Sequence, residues 1–98
     1  MIRSQTANGK TTVAPEGNIG MQDTDALAKA MDDAVARGDE IELDLAGCQA
    51  LSSSAIGAMI AAHNSLKSRG SRLLVSGATD EIRRLLKLMQ LDRHFEVA

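Results

Sequence analysis

The chain has no tryptophan and no tyrosine, and Phe95 is its one phenylalanine. Its core must therefore be filled by Leu, Ile, Val, Met and Ala. Nucleic-acid bases would also find no aromatic platform to stack on. Charge points the same way. Eleven Lys and Arg stand against 13 Asp and Glu, for a net charge of −2, and no basic stripe runs along the sequence. Nucleic acid is not expected as a partner. A lone cysteine, Cys48, excludes an intrachain disulfide. The two histidines, His63 and His94, lie far apart, and Cys48 is not spaced to join them, so no metal site is expected. No apolar stretch approaches the length of a membrane span, and no secretory signal opens the chain. A cytoplasmic protein without membrane insertion is the simplest expectation. A phosphate-binding loop with its lysine is absent, and the residues around Ser54 do not make Gly-x-Ser-x-Gly. Neither an enzyme nor a bound cofactor is expected.

What is present suits a single domain over residues 1–98, with 44% hydrophobic residues to bury. No internal repeat, low-complexity run or linker interrupts it. Residues 2–14 read as a β-hairpin around Asn8-Gly9, a pair that supplies the positive φ angles of a type I′ turn. Its strands are weakly hydrophobic and belong at a sheet edge. Pro15 to Gly20 reads as a loop. A first helix is expected over Thr24 to Arg37, capped by Asp23 or Thr24, with Asp25 in its first turn. Leu27, Met31, Ala34 and Val35 form its buried stripe, and Arg37-Gly38 ends it.

Ile41, Leu43 and Leu45 alternate with Glu42 and Asp44. This predicts a strand with one apolar and one polar face, in a sheet covered by helices on one side only. A second helix follows from about Ser53 to Ser68. One face carries Ala55, Ile56, Met59, Ile60, Ala62, His63 and Leu66. The other carries Gly57, Ala58, Ala61, Asn64, Ser65 and Ser68, with no charge before Lys67. Two explanations fit such small residues: tight packing inside the domain, or a strip that another chain approaches closely. A homodimer would satisfy the second as well as a foreign partner would. His63 falls on the apolar face and reads as a core histidine with a satisfied ring nitrogen. Cys48 reads as a small buried residue.

Arg72 to Ser76 reads as a strand and Gly77-Ala78 as a turn. Thr79 caps a third helix with Asp80 and Glu81 in its first turn. Ile82, Leu85, Leu86 and Met89 make its apolar stripe, Arg83, Arg84 and Lys87 point outward, and Leu91 staples the end. Phe95 to Val97 is a short last strand. The order is hairpin, helix, strand, helix, strand, helix, strand. This is an α/β fold with parallel strands, right-handed crossovers and helices packed on one face of a mixed sheet.

The three serines Ser52, Ser53 and Ser54 stand where a strand and loop run into the second helix. A helix N-terminus offers unpaired N–H groups and partial positive charge, so serine caps there and phosphate is tolerated there. One serine suffices for capping, which leaves two to be explained by solubility, chance or modification.

The order of elements, with Asp44-Leu45, then Ser52-Ser53-Ser54-Ala55-Ile56-Gly57, resembles the STAS domain of bacterial anti-sigma-factor antagonists. Gly17-Asn18-Ile19, Gly70-Ser71-Arg72-Leu73 and Leu91-Asp92-Arg93-His94-Phe95 extend the likeness over nearly the whole chain. The family motif reads approximately Asp-Ser-Ser-Gly-Leu-Gly. By position, the resemblance implies Ser54 as the residue phosphorylated by an anti-sigma factor that is also a serine kinase, with Ser53 as the alternative. It implies a partner surface at Ser52, Ser53, Ser54, Gly57, Ala58 and Ala61, and a phosphatase as a further partner. Ser52 replaces the family's Asp, Ala55 its first Gly, and Gly20 an Asp that often follows the Gly-x-Leu/Ile segment. STAS-like domains also serve as fixed subunits of signalling or lipid-transport assemblies. In that case the serines would only cap.

Overall fold

A computed structural model describes all 98 residues. The chain opens with the expected hairpin: β1 (Ile2–Ala7) and β2 (Lys10–Pro15) pair antiparallel across Asn8 and Gly9, whose φ angles are +55° and +77°. The main sheet then adds β4 (Glu40–Asp44), β6 (Leu74–Ser76) and β7 (Glu96–Val97), all parallel, in the order β1-β2-β4-β6-β7. Each parallel step moves one place in the same direction. Right-handed crossovers repeated that way lay every connecting helix on one face.

Burial follows the alternation expected of such a sheet. Thr11, Val13, Ile41, Leu43, Leu45, Leu73 and Val75 are buried, while Thr12, Glu42, Asp44, Leu74 and Ser76 line the other face and remain partly exposed. On that open face Glu42 pairs with Lys10 at 2.6 Å and accepts from Ser76 Oγ at 2.7 Å, bridging three strands. One cluster of 20 buried apolar residues fills the covered face. Phe95 is its single aromatic member.

Several boundaries differ from the sequence reading. The segment expected to be a loop at residues 15–20 contains β3 (Gly17–Ile19), and β5 (Cys48–Leu51) follows β4. The two pair in parallel as a separate small sheet. Because β3 ends at Ile19, α1 (Met21–Ala36) starts three residues earlier than expected. Gly20 is its N-cap and makes no side-chain cap. Thr24 does not cap; its hydroxyl donates back to the Gly20 carbonyl at 3.3 Å, and Asp23 occupies the first turn in place of Asp25. Helix α2 spans Ser53–Lys67 and α3 spans Asp80–Leu88, capped by Thr79 as expected. Met89 is not part of the buried stripe. It sits at the end of α3, 45% exposed, ahead of Gln90 in a left-handed conformation, and Leu91 in a 3₁₀ turn takes the core position. Ile60, Val35 and Leu85 are only half-buried.

A polar clasp holds the end of the sheet where α1 returns to β4. Buried Asp39 accepts from Thr11 Oγ1 at 2.9 Å and from Arg37 Nε at 3.0 Å. Arg37 also donates to Thr6 and Thr11, and Arg69 from the end of α2 donates to the carbonyls of Val35 and Asp39. The clasp joins the hairpin, α1, β4 and α2. Hydrogen bonds from Arg37 and Thr11 hold the Asp39 carboxyl below its ordinary value.

His63 is the core histidine anticipated from its helix face. It is 5% exposed, its Nδ1 accepts from the Leu73 N–H at 3.3 Å, and Phe95 packs edge-on against its ring at 5.3 Å between centroids. Burial lowers its pKa from 6.5, and the nearby His94, Arg72 and Lys67 lower it further. Just below pH 6.5 the unfolded chain therefore binds a proton that the folded chain refuses. Stability should be complete above that pH and fall as pH drops toward the folded value. The contributions of Asp39 and Glu42, both shifted down, are lost only at more acidic pH, below about 4. Urea midpoints measured from pH 8 to pH 5 should show this decline. H63Q, whose amide oxygen can still accept from Leu73, should start lower but show a flat profile over the same range.

Candidate functional site

Helix α2 begins where the small sheet ends. Ser52 follows β5 directly, and its N–H donates to the Ile19 carbonyl of β3 at 2.9 Å. Its extended backbone and its Oγ, which accepts from the Ala55 N–H at 3.2 Å, make it the N-cap. Of the three serines, then, the first caps and the other two are free of that role. Aspartate caps as well as serine does. Ser52 thus supplies the cap, without a charge, at the position where the resembled motif has Asp.

Ser53 is exposed and Ser54 half-buried, both in the first turn. No hydrogen bond within the chain engages either hydroxyl, and no buried side-chain nitrogen or oxygen lacks a partner. Ser54 Oγ is consequently open to solvent. No acidic side chain shares this turn, so the partial positive charge of the helix terminus is uncompensated.

Beyond the serines the outward face of α2 carries Gly57, Ala61, Asn64 and Ser65, all exposed, with Ala58 half-buried at its border. The hydroxyls of Ser65 and Ser68 fold back onto the carbonyls of Ala61 and Ser65. Gly57 bears on the first explanation of this strip, tight packing inside the domain. A Cβ at that position would meet nothing within 4 Å. Tight packing inside the domain therefore does not account for it. Gly77 is the opposite case. Its φ is +68°, and a Cβ there would lie 2.9 Å from the Ala46 backbone nitrogen. That contact locks the turn after β6 against the turn after β4, which leads into β5 and the serines. Asp44 Oδ1 accepts from the Ala46 N–H at 3.0 Å and shapes the same turn.

Cys48, beside the site in sequence, is buried. Its Sγ–H donates to the Ala50 carbonyl at 3.5 Å, and burial raises its pKa above the usual thiol range. It is a core residue with a thiol protonated at neutral pH.

The family model described as "Mlab, STAS domain" matches residues 2–97. The chain belongs to the STAS domain family. Its fold superposes on an anti-sigma factor antagonist from Mycobacterium paratuberculosis with a TM-score of 0.87 at 23% identity, covering 99% of this chain and 83% of that one. A Thermotoga maritima protein provisionally assigned to the same class gives 0.88 at 18% identity, covering 98% and 84%. The Bacillus cell fate determinant SpoIIAA in its phosphorylated form gives 0.81 at 12% identity, covering 100% and 91%. Its unphosphorylated form also matches, at 0.78 and 11% identity, covering 95% and 96%. No curated protein sequence matches the chain. No helix is long and apolar enough to cross a membrane.

Within this STAS domain the two glycines give opposite expectations. G57A should stabilise the isolated chain by about 1 kcal/mol, because alanine is the better helix former and the space is open. G77A should cost about 1–3 kcal/mol or more, through the left-handed backbone and the Ala46 contact. S52A should cost about 1 kcal/mol, whereas S52D should be close to neutral. Chemical denaturation of the four variants checks all of these.

Proposed function

We propose that this STAS domain is an anti-sigma factor antagonist, a cytoplasmic binding module that captures an anti-sigma factor with serine kinase activity. Ser54 is the phosphoacceptor, with Ser53 as the alternative, and a phosphatase restores the binding form. Docking uses the start of α2 and its uncharged strip: Ser52, Ser53, Ser54, Gly57, Ala58 and Ala61. The observation that carries this reading is the exposed Gly57, a helix-interior glycine with open space at its Cβ position, on the same helix face as an accessible serine hydroxyl. Such a glycine costs the domain about 1 kcal/mol relative to alanine, and close approach by a partner backbone supplies a reason for it.

The switch is electrostatic and steric. A phosphate on Ser54 brings about −1.5 to −2 charge at pH 7. The helix N-terminus favours an anion by about 0.3–1 kcal/mol, so the fold tolerates it. A docked partner would have to desolvate the dianion or leave a gap, and charge burial is costly unless it is paired. Phosphorylation would thus alter binding and leave the fold unchanged. The matches to both the phosphorylated and unphosphorylated forms of SpoIIAA are consistent with one fold serving both states.

Ser52 keeps a second reading open. Its position is filled by a neutral cap where the family motif has a carboxylate, as suits a fixed accessory subunit whose serines are structural. Phosphopeptide mapping of the protein from its own cells, in growth and in stress, separates the two. The switch requires phosphate on Ser54 or Ser53 that varies with condition, and its absence throughout favours the accessory subunit. For a partner so identified, S54D should weaken binding at least about tenfold, or ~1.4 kcal/mol, with an unchanged circular dichroism spectrum. Binding as tight as wild type would reject the charge-based switch.

A further inference from the structure

The far end of α2 carries a second, separate feature. About 20 Å from the serines, given 1.5 Å of rise per residue, a cavity of about 330 Å³ opens beside the helix C-terminus. Lys67, Ser71, Arg72, Arg93, His63 and His94 line it, and no acidic residue does. In a chain with net charge −2 this is a local concentration of positive charge. The four ion pairs of the molecule all lie elsewhere, so neither Lys67 nor Arg93 is ion-paired. Arg72 is held in place: Nε donates to the His94 carbonyl and Nη2 to the Phe95 carbonyl, each at 3.0 Å. The last turn of α2 does not cancel this field, because the carbonyls of Asn64, Leu66 and Lys67 are taken by N–H groups from Ser68 to Ser71.

His63 gives the cavity a directed donor. Its Nδ1 accepts from Leu73, so the neutral ring carries its proton on Nε2. No protein group accepts from that N–H, and the ring is 95% withdrawn from solvent, with its remaining exposure on this cavity. The ring is largely buried, but Nε2–H keeps its exposure and has no protein acceptor, so it is available to a ligand atom in the cavity.

We propose that this cavity is a binding site for a phosphate dianion, free or as a phosphomonoester, held by Lys67, Arg93 and the Nε2–H of His63. Phosphate suits this lining better than carboxylate, because Lys67, Arg93 and His63 all face one cavity and phosphate has oxygens enough to accept from each of them. The neighbours His94, Arg72 and Lys67 that disfavour protonation of His63 line the same cavity, and a bound dianion would oppose their effect. Occupancy would rigidify the segment from Gly70 to Arg72 against the turn at Leu91–Arg93.

Titration of the full chain with sodium phosphate at constant ionic strength, followed by the imidazole NMR signals, tests this. His63 and His94 should shift saturably in the low millimolar range, with chloride alone giving no saturable shift. K67Q/R93Q, both at exposed side chains, should weaken phosphate binding at least tenfold with the remaining spectrum unchanged. R93E should do the same as a single change. Glycerol phosphate and vesicles containing phosphatidic acid distinguish the sources. Binding of either soluble phosphate marks a small-molecule site, and binding confined to vesicles marks a lipid headgroup site. Shifts that stay linear with every probe, or that are equal in the variants, would overturn the proposal.

Discussion

The alternation along β4 is the constraint on which the rest of this structure depends. Ile41, Leu43 and Leu45 are 0–1% exposed, while Glu42 and Asp44 face the other way. A shift of one residue in register would place both carboxylates in the aliphatic core. Burying such charges without partners costs several kcal/mol each. With β4 thus fixed, β2 and β6 must pair on either side of it with the same orientation. The three crossovers then have to cover one face. The other face is left to solvent and to the Lys10–Glu42–Ser76 bridge. An aromatic-rich protein could absorb some irregularity with large side chains. Here Phe95 alone is available, and packing depends on many aliphatic contacts in the correct register.

This arrangement gives α2 its two distinct ends. The helix enters from β5, past the ends of β4 and β6, where the Gly77–Ala46 approach fixes the entry turn. It leaves beside the Asp39 clasp, to which Arg69 contributes. Both ends are therefore anchored by contacts outside the helix. The serine end can carry an added charge without threatening the fold. The basic end can hold cations near one another because the clasp and the Arg72–carbonyl bonds, rather than ion pairing, hold the chain in place.

The sequence was most legible where periodicity was strong. The hairpin, β4, the buried face of α2 and the Thr79-capped α3 all follow from pattern and capping chemistry. The small sheet escaped because β3 and β5 are three and four residues long, and Ile19 and Cys48 are their only buried members. No period can be read from one buried residue per strand. That omission displaced the start of α1, since Gly20 provides no side-chain cap to announce it. Met89 misled for a related reason: an i, i+7 match continues past the point where the helix stops. At the candidate site, the serines and the small residues were visible in the sequence. The open space at Gly57, which separates internal packing from surface, was not. The basic cavity was invisible for another reason. Its cations, Lys67, Arg72 and Arg93, are spread over a helix, a strand entry and a 3₁₀ turn, and only the fold brings them together.

The outward face of α2 can be judged against the other two helices of the same molecule. All three bury an apolar stripe against the sheet or one another. Helix α1 exposes Asp25, Lys29, Asp32 and Asp33, and α3 exposes Glu81, Arg83, Arg84 and Lys87. These are the faces expected of helices whose outer side meets only water. Helix α2 solves the same packing problem with no charged residue from Ser53 to Leu66. The fold therefore does not demand an uncharged outer face. Nor does helix stability, which alanine at position 57 and charged pairs along the face would improve. Charge brought against another protein must be desolvated or paired, whereas Gly, Ala and Ser demand neither. The proposed docking of a partner would explain the composition of this face, and the accessible serines at its head would then place a modifiable group within that contact.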